Sequence, residues 1–223
     1  MPNAISWRVL QIADSAFPTG GFAHSAGLEA ALQLGQARTV DGLDAHLRAI
    51  LWNVGTASLP FVGETHDRPQ LVWEMDERVD TFLTNHVANR ASRTQGRAFV
   101  GTCARVFCDP TLTAMAARSR TREVTAHYAP LFGASLAALG FERRDALALY
   151  MYLSLRGIVS AAVRLGIVGP YEAQRLQHRQ AATLDATIEQ CAGLSWREAA
   201  TTAPLIDLFA GAHDRLYTRL FQS

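Results

Sequence analysis

The chain contains no lysine: all 21 of its basic residues are arginine. This excludes Schiff-base chemistry and any lysine nucleophile. It also leaves a Walker phosphate loop without its essential cation. Cysteine is scarce, with only Cys103, Cys108 and Cys191 in 223 residues, and an odd, sparse set is not a disulfide framework. Charged residues make up 18% and hydrophobic ones 49%, a balance that suits a folded chain with a sizeable core and not a disordered one. The formal net charge is +1, so no overall field selects nucleic acid or an anionic membrane. The start, MPNAISWRVLQ, lacks the basic and then apolar pattern of a signal peptide. The most apolar stretch, Ala146 to Val168, is interrupted by Arg156 and Arg164. An arginine near a bilayer centre costs roughly 2.5–3.5 kcal/mol, so this stretch reads as a buried helix and not a membrane span. A soluble cytoplasmic protein is the expectation.

Catalytic motifs are missing too. Seven histidines (His24, His46, His66, His86, His127, His178 and His213) make no H-x-x-x-H pair, and none sits beside a cysteine at zinc spacing. Cys103 and Cys108 stand five apart, poor geometry for shared ligation on one helix, and read as structural. His213-Asp214 pairs a possible ligand with an orienting carboxylate, with a surface or capping role as the alternative. There is no G-x-S-x-G elbow. Asp14-Ser15 has no histidine at a fixed offset to complete a triad. No catalytic residue, metal site or cofactor is expected.

What is present is helical periodicity, with almost no strand alternation. Leu43, Leu47, Ile50, Leu51 and Val54 form one helix face between Asp41 and Gly55. Pro60 suits a helical first turn. From Gln70 to about Phe107 the pattern is helical with a break at Thr84-Asn85, and Arg90, Arg93 and Arg97 share a face: a solvated surface or a basic strip for an acidic partner. Ser119 to Glu123 reads as a loop, and Tyr128 to Leu139 as a short apolar helix stopped by Gly140. Asp145 to Val168 is apolar on nearly every face, as the centre of a bundle should be. Helices follow from Pro170 to Cys191 and from Pro204, the last with a stripe of Leu205, Leu208, Phe209, Ala212 and Leu216. The apolar ending, Tyr217 to Phe221, should dock on its own core or on a partner, since free termini tend to be polar. Without a linker or repeat, residues 1–223 read as a single-domain, all-α helical bundle of roughly ten helices.

Leu10 to Ala30, LQIADSAFPTGGFAHSAGLEA, has the most unusual composition. A short helix with Trp7, Leu10 and Ile12 leads into Asp14-Ser15. Pro18, Gly20 and Gly21 then shape a turn that Phe17 and Phe22 should pin down. Ser25 is a candidate N-cap, with Glu29 in the first helical turn. Three readings compete: a tight helix–helix turn with buried aromatics, a phosphate loop (weak without lysine), and a fixed surface that a partner reads.

ADSAFPTGGFAHSAGLE closely resembles the N-terminal signature of the UreF family of urease accessory proteins. The resemblance continues through Ala91-Ser92-Arg93-Thr94-Gln95-Gly96-Arg97, Phe132-Gly133 with Leu139-Gly140, Ser160 to Leu165, and the ending His213-Asp214 through Arg219-Leu220-Phe221-Gln222-Ser223. It implies an all-α protein without catalysis of its own, acting in urease maturation, where nickel is delivered to the urease active site. It implies binding to the accessory protein UreD (also called UreH) and to the GTPase UreG, action of the complex on apo-urease, and a homodimer. No nucleic acid or membrane partner is implied. Residue by residue, Asp14, Ser15, Pro18, Gly20, Gly21, Phe22, Ser25 and Glu29 match the signature, with Glu29 a candidate polar contact toward UreG. Arg164 matches a basic position and is a second candidate for that face. Arg219 matches the arginine before Leu-Phe-x-Ser and is expected to order a C-terminal segment used in assembly. For Glu29 a helix N-terminal charge, and for Arg164 an internal ion pair, are the alternatives. His24 receives no role. Two other functions remain open: a regulator of the UreG GTPase that supplies an arginine, which the resemblance suggests, and a helical metal-binding enzyme with its site assembled from distant residues, which comes from the residues alone.

Overall fold

The computed structural model describes residues 7–223, and among these every regular element is a helix. In chain order the α-helices are α1 Trp7–Ala13, α2 Leu28–Gln33, α3 Val40–Ala57, α4 Leu59–Asp67, α5 Val72–Phe82, α6 His86–Phe107, α7 Pro110–Arg118, α8 Tyr128–Ala138, α9 Arg143–Arg164, α10 Pro170–Arg179, α11 Ala181–Cys191 and α12 Pro204–Ala212. The break expected at Thr84-Asn85 separates α5 from α6, and the Asn85 side chain caps α6 by accepting from the Val87 and Ala88 amides. Thr39 caps α3 in the same way through the Gly42 amide.

Two helices form the centre. α9 touches α1, α2, α3, α4, α8, α10 and α11, which is why it is apolar all round. It has the length and composition of a membrane span, yet most of it is covered by its neighbours. α8 is almost wholly buried against α4 and α6. Glycines set these close approaches. A Cβ at Gly133 would lie 2.2 Å from the Val62 carbonyl oxygen of α4, and one at Gly96 would lie 2.1 Å from that of Ala126, just before α8. Phe99, Tyr128, Phe132 and Tyr150 stack between α6, α8 and α9, with ring centroids 4.8–5.5 Å apart. One apolar cluster runs from Ile12 to Phe221, with a smaller one around Val72, Val100 and Leu131.

Several expectations need correction. α3 runs through Gly55, which is a contact point: a Cβ there would meet Thr187 of α11 at 2.2 Å. α9 ends at Arg164, four residues before Val168. The helix expected from Pro170 to Cys191 breaks at Gln180, whose buried side chain donates to the Asp44 carboxylate at 2.9 Å. α7 occupies residues that the periodicity left unassigned; Asp109 caps it and Pro110 opens it. In α12 the core side is Ile206 and Ala210, while Leu205 and Leu208 stand 64% and 66% exposed. Leu216 lies beyond the helix.

A candidate interaction surface where the two ends meet

The loop from Asp14 to Gly27 lies on α6. Gly20, at φ +82°, adopts a backbone conformation open to glycine, and a Cβ there would stand 2.8 Å from Ala98 Cβ. Gly21 faces the Gln95 side chain in the same way, at 3.0 Å. Thr102 Oγ1 donates to the Pro18 carbonyl at 3.0 Å, and Phe17 stacks on Phe107. Asp14 Oδ1 accepts from the Ala16 amide at 2.7 Å and shapes the entry to the loop, while Ser15 is exposed beside it. The expectation that both aromatics pin the turn holds for Phe17, which is buried. Phe22 is 70% exposed.

The C-terminal tail comes back to this loop. The Ser223 carbonyl accepts from the Ser25 amide at 2.6 Å and from the Ser25 hydroxyl at 3.0 Å. The Gln222 amide donates to the Ala23 carbonyl at 2.8 Å, and His24 Nδ1 is hydrogen-bonded to the Ser223 hydroxyl at 2.6 Å. Glu29, 3% exposed, accepts the amides of Leu220 and Phe221 at 2.6 and 3.1 Å. Buried His213 donates from Nε2 to the Phe221 carbonyl at 3.2 Å. Burial pushes the His24 imidazole below its ordinary pKa, and Arg90 and His213 push it the same way.

Arg164, the last residue of α9, locks the two segments together. Its guanidinium carbon stands 3.7 Å from the Phe22 ring centroid and 4.1 Å from that of Phe221, and it donates to the Phe22 carbonyl. Arg164 has no acidic partner among the described residues, and its Nε is buried without a hydrogen-bond acceptor. Burial lowers its pKa. The internal ion pair considered for it is therefore absent among the described residues.

The site residues read from the sequence thus divide. Phe22, Ser25, Glu29 and Arg164 converge on the tail. Pro18, Gly20 and Gly21 shape the loop against α6. Asp14 and Ser15 lie at the loop's start, away from the tail. Arg219 is exposed, with Nη1 3.4 Å from Asp214 Oδ1. Two assignments change. Ser25 is not the N-cap of α2, which opens at Leu28 after Gly27; its carbonyl instead accepts from the Leu28 amide and its hydroxyl faces the Glu29 amide at 3.4 Å. Glu29 is not on the surface: its carboxylate is taken up by the tail. His24, His213 and Ser223 were missed. His213-Asp214 and the apolar ending were visible signals, but nothing marked His24. No cluster of three potential metal-ligating side chains occurs among the described residues. The arrangement is suited to presenting a shaped surface.

A family model described as UreF matches residues 37–181. The chain is 37% identical over 225 residues to urease accessory protein F of Arabidopsis thaliana, covering 99% of this chain and 94% of the plant protein. It is 34% identical over 221 residues to the protein of the same name from Oryza sativa subsp. indica, with coverages of 96% and 84%. Urease accessory protein UreF of Mycobacterium tuberculosis is 27% identical over 216 residues, with 96% and 97% covered.

Proposed function

This chain belongs to the UreF family of urease accessory proteins, and from that premise we propose that it is a non-catalytic cytoplasmic scaffold for nickel insertion into apo-urease. It binds UreD/UreH, recruits the GTPase UreG, and works as a homodimer within that complex. The supporting observation is the joining of the signature loop to the tail around Arg164, with the Phe22 ring left facing solvent. Aromatic rings and arginine are the side chains that dominate interface energetics. In this reading Arg164, which lacks an acidic partner among the described residues, receives one from UreG. Glu29 contributes indirectly, by holding Leu220 and Phe221 in place.

A UreG regulator supplying an arginine is the competing reading. Arg164 would have to leave two aromatic rings and the Phe22 carbonyl to reach a phosphoryl group, which disfavours it in that role.

The test is co-purification of the chain with its cognate UreD/UreH and UreG, followed by mass measurement in solution. Two copies of each protein in one particle is the expected result. A chain that ignores both folded partners would overturn the scaffold reading. GTP turnover by UreG should be unchanged in the complex. Acceleration that disappears in Arg164→Ala would favour the regulator instead.

A further inference from the structure

Of the arginine row of α6, Arg90 reaches the loop–tail junction through Asp214, which also pairs with Arg219, while Arg93 and Arg97 take no part in it. Arg90, Arg93 and Arg97 recur at spacings of three and four, so they span about 10 Å of one helix face. With His86 and Thr94 they line a surface groove whose other wall is the end of α5 and the following Leu83-Thr84. One end of this groove is already filled. Asp214 sets its two carboxylate oxygens 3.1 and 2.8 Å from the two terminal nitrogens of Arg90, and it stands 3.3 Å from His86 Nε2. The fold itself thus shows what this face accepts: a side-chain carboxylate held in the planar fork of an arginine.

Beyond Arg90 the groove is open. Arg93 makes no hydrogen bond or ion pair among the described residues. Arg97 commits Nε to the Ser119 carbonyl at 3.0 Å. Its terminal nitrogens make no hydrogen bond among the described residues. Asp80, whose charge reaches Arg93, makes no ion pair with it among the described residues; its Oδ1 accepts from Asn89 Nδ2 at 2.9 Å and from His127 Nε2 at 3.0 Å.

We propose that this groove docks an acidic polypeptide segment of a partner protein, which places carboxylates on Arg93 and Arg97 as Asp214 is placed on Arg90. Two features favour a polypeptide over a nucleic acid: the row is only three arginines long, whereas a nucleic-acid groove tracks a longer run of phosphates, and Leu83 gives the wall an apolar contact that suits a side chain. Asp214 directly follows His213, so the groove adjoins the loop–tail surface, yet the proposal stands apart from what binds there.

The test is fluorescence anisotropy with the full chain and a labelled helical peptide carrying glutamate at alternating spacings of three and four. A single-stranded oligothymidylate is the second probe. Arg93→Glu should weaken peptide binding about tenfold, since it removes a charge-assisted contact and adds a like charge. Arg144→Glu, which makes the same charge change at an exposed site on α9, should change it by less than about twofold. Arg93→Gln keeps the proposal testable if Arg93→Glu lowers the melting temperature; it should weaken binding in the same direction. Failure of the wild-type chain to bind the peptide would overturn the proposal. Equal losses in Arg93→Glu and Arg144→Glu would do so too, as would tighter binding of the oligothymidylate with the same dependence on Arg93.

Discussion

Glu29 and Phe221 stand 192 residues apart in the chain, and the carboxylate of the first accepts the backbone amide of the second at 3.1 Å. The Leu220 amide joins at 2.6 Å. A helix of only six residues thereby fixes the tail. Glu29→Ala should leave the buried Phe221 amide unpaired, at a cost of about 1–3 kcal/mol. Limited trypsin digestion reads the result, because Arg215 and Arg219 lie in the segment that would loosen. Cleavage there should be faster in Glu29→Ala and intermediate in Glu29→Gln. Wild-type cleavage rates in Glu29→Ala would refute the anchoring role.

Arg164 and Phe221 should be energetically coupled through the cation–ring contact. A double-mutant cycle of Arg164→Ala and Phe221→Ala, measured by urea unfolding, should give about 0.5–2 kcal/mol. Additive effects would mean that the stacking contributes no stability.

Two glycines make a contrasting pair. Gly96→Ala drives a Cβ into the Ala126 carbonyl oxygen, which is backbone and cannot swing away, so it should cost several kcal/mol, about 3 or more. Gly157, inside α9, has nothing within 4 Å of its notional Cβ. Gly157→Ala should be neutral or stabilise by up to about 1 kcal/mol. Thermal melts of the two variants would decide; equal destabilisation would contradict the packing described.

Stability should rise with pH across the mildly acidic range. His46, buried on α3 beside Phe209, has its pKa lowered by burial from 6.5 to about 4. As pH falls below 6.5 the unfolded chain takes up this proton while the folded chain does not. Unfolding therefore becomes easier down to about pH 4, by about 3 kcal/mol from this group. Burial shifts His24 and His127 in the same direction. Urea unfolding at several pH values should show a shallower slope in His46→Leu, and an unchanged slope would show that His46 is not responsible.

Asp76, 1% exposed, holds the segment before α8 by accepting from the Thr125, Ala126 and His127 amides and the Thr125 hydroxyl at 2.6–2.9 Å. Asp76→Ala should destabilise by about 3–5 kcal/mol, with Asp76→Asn retaining part of the loss. Near-wild-type melting of Asp76→Ala would rule out this anchor.

Much of the fold was legible in local pattern. Apolar repeats at helical spacing placed α3 and marked α6 with a mixed stripe, while runs that are apolar on nearly every side placed α8 and α9, because a helix covered all round has no polar face to keep. Pro60, Pro170 and Pro204 marked the starts of α4, α10 and α12. The errors fell where sequence period and packing disagree. Leu205 and Leu208 share a stripe that points outward, and Gly55 is a contact point where local rules read a stop.

The candidate surface was legible only in its parts. Residue types alone marked Gly20 and Gly21 as turn-forming, identified Glu29 as a charge in a first helical turn, and showed that the ending was too apolar to be free. That Glu29 faces inward, that Phe22 faces outward, and that Arg164 sits between Phe22 and Phe221 were decided by tertiary structure. These contacts join segments more than 50 residues apart in the chain. Helical period and capping act over a few residues and leave their mark in local sequence. A contact between the two ends exists only once α9 has brought its last residue to the place where both arrive.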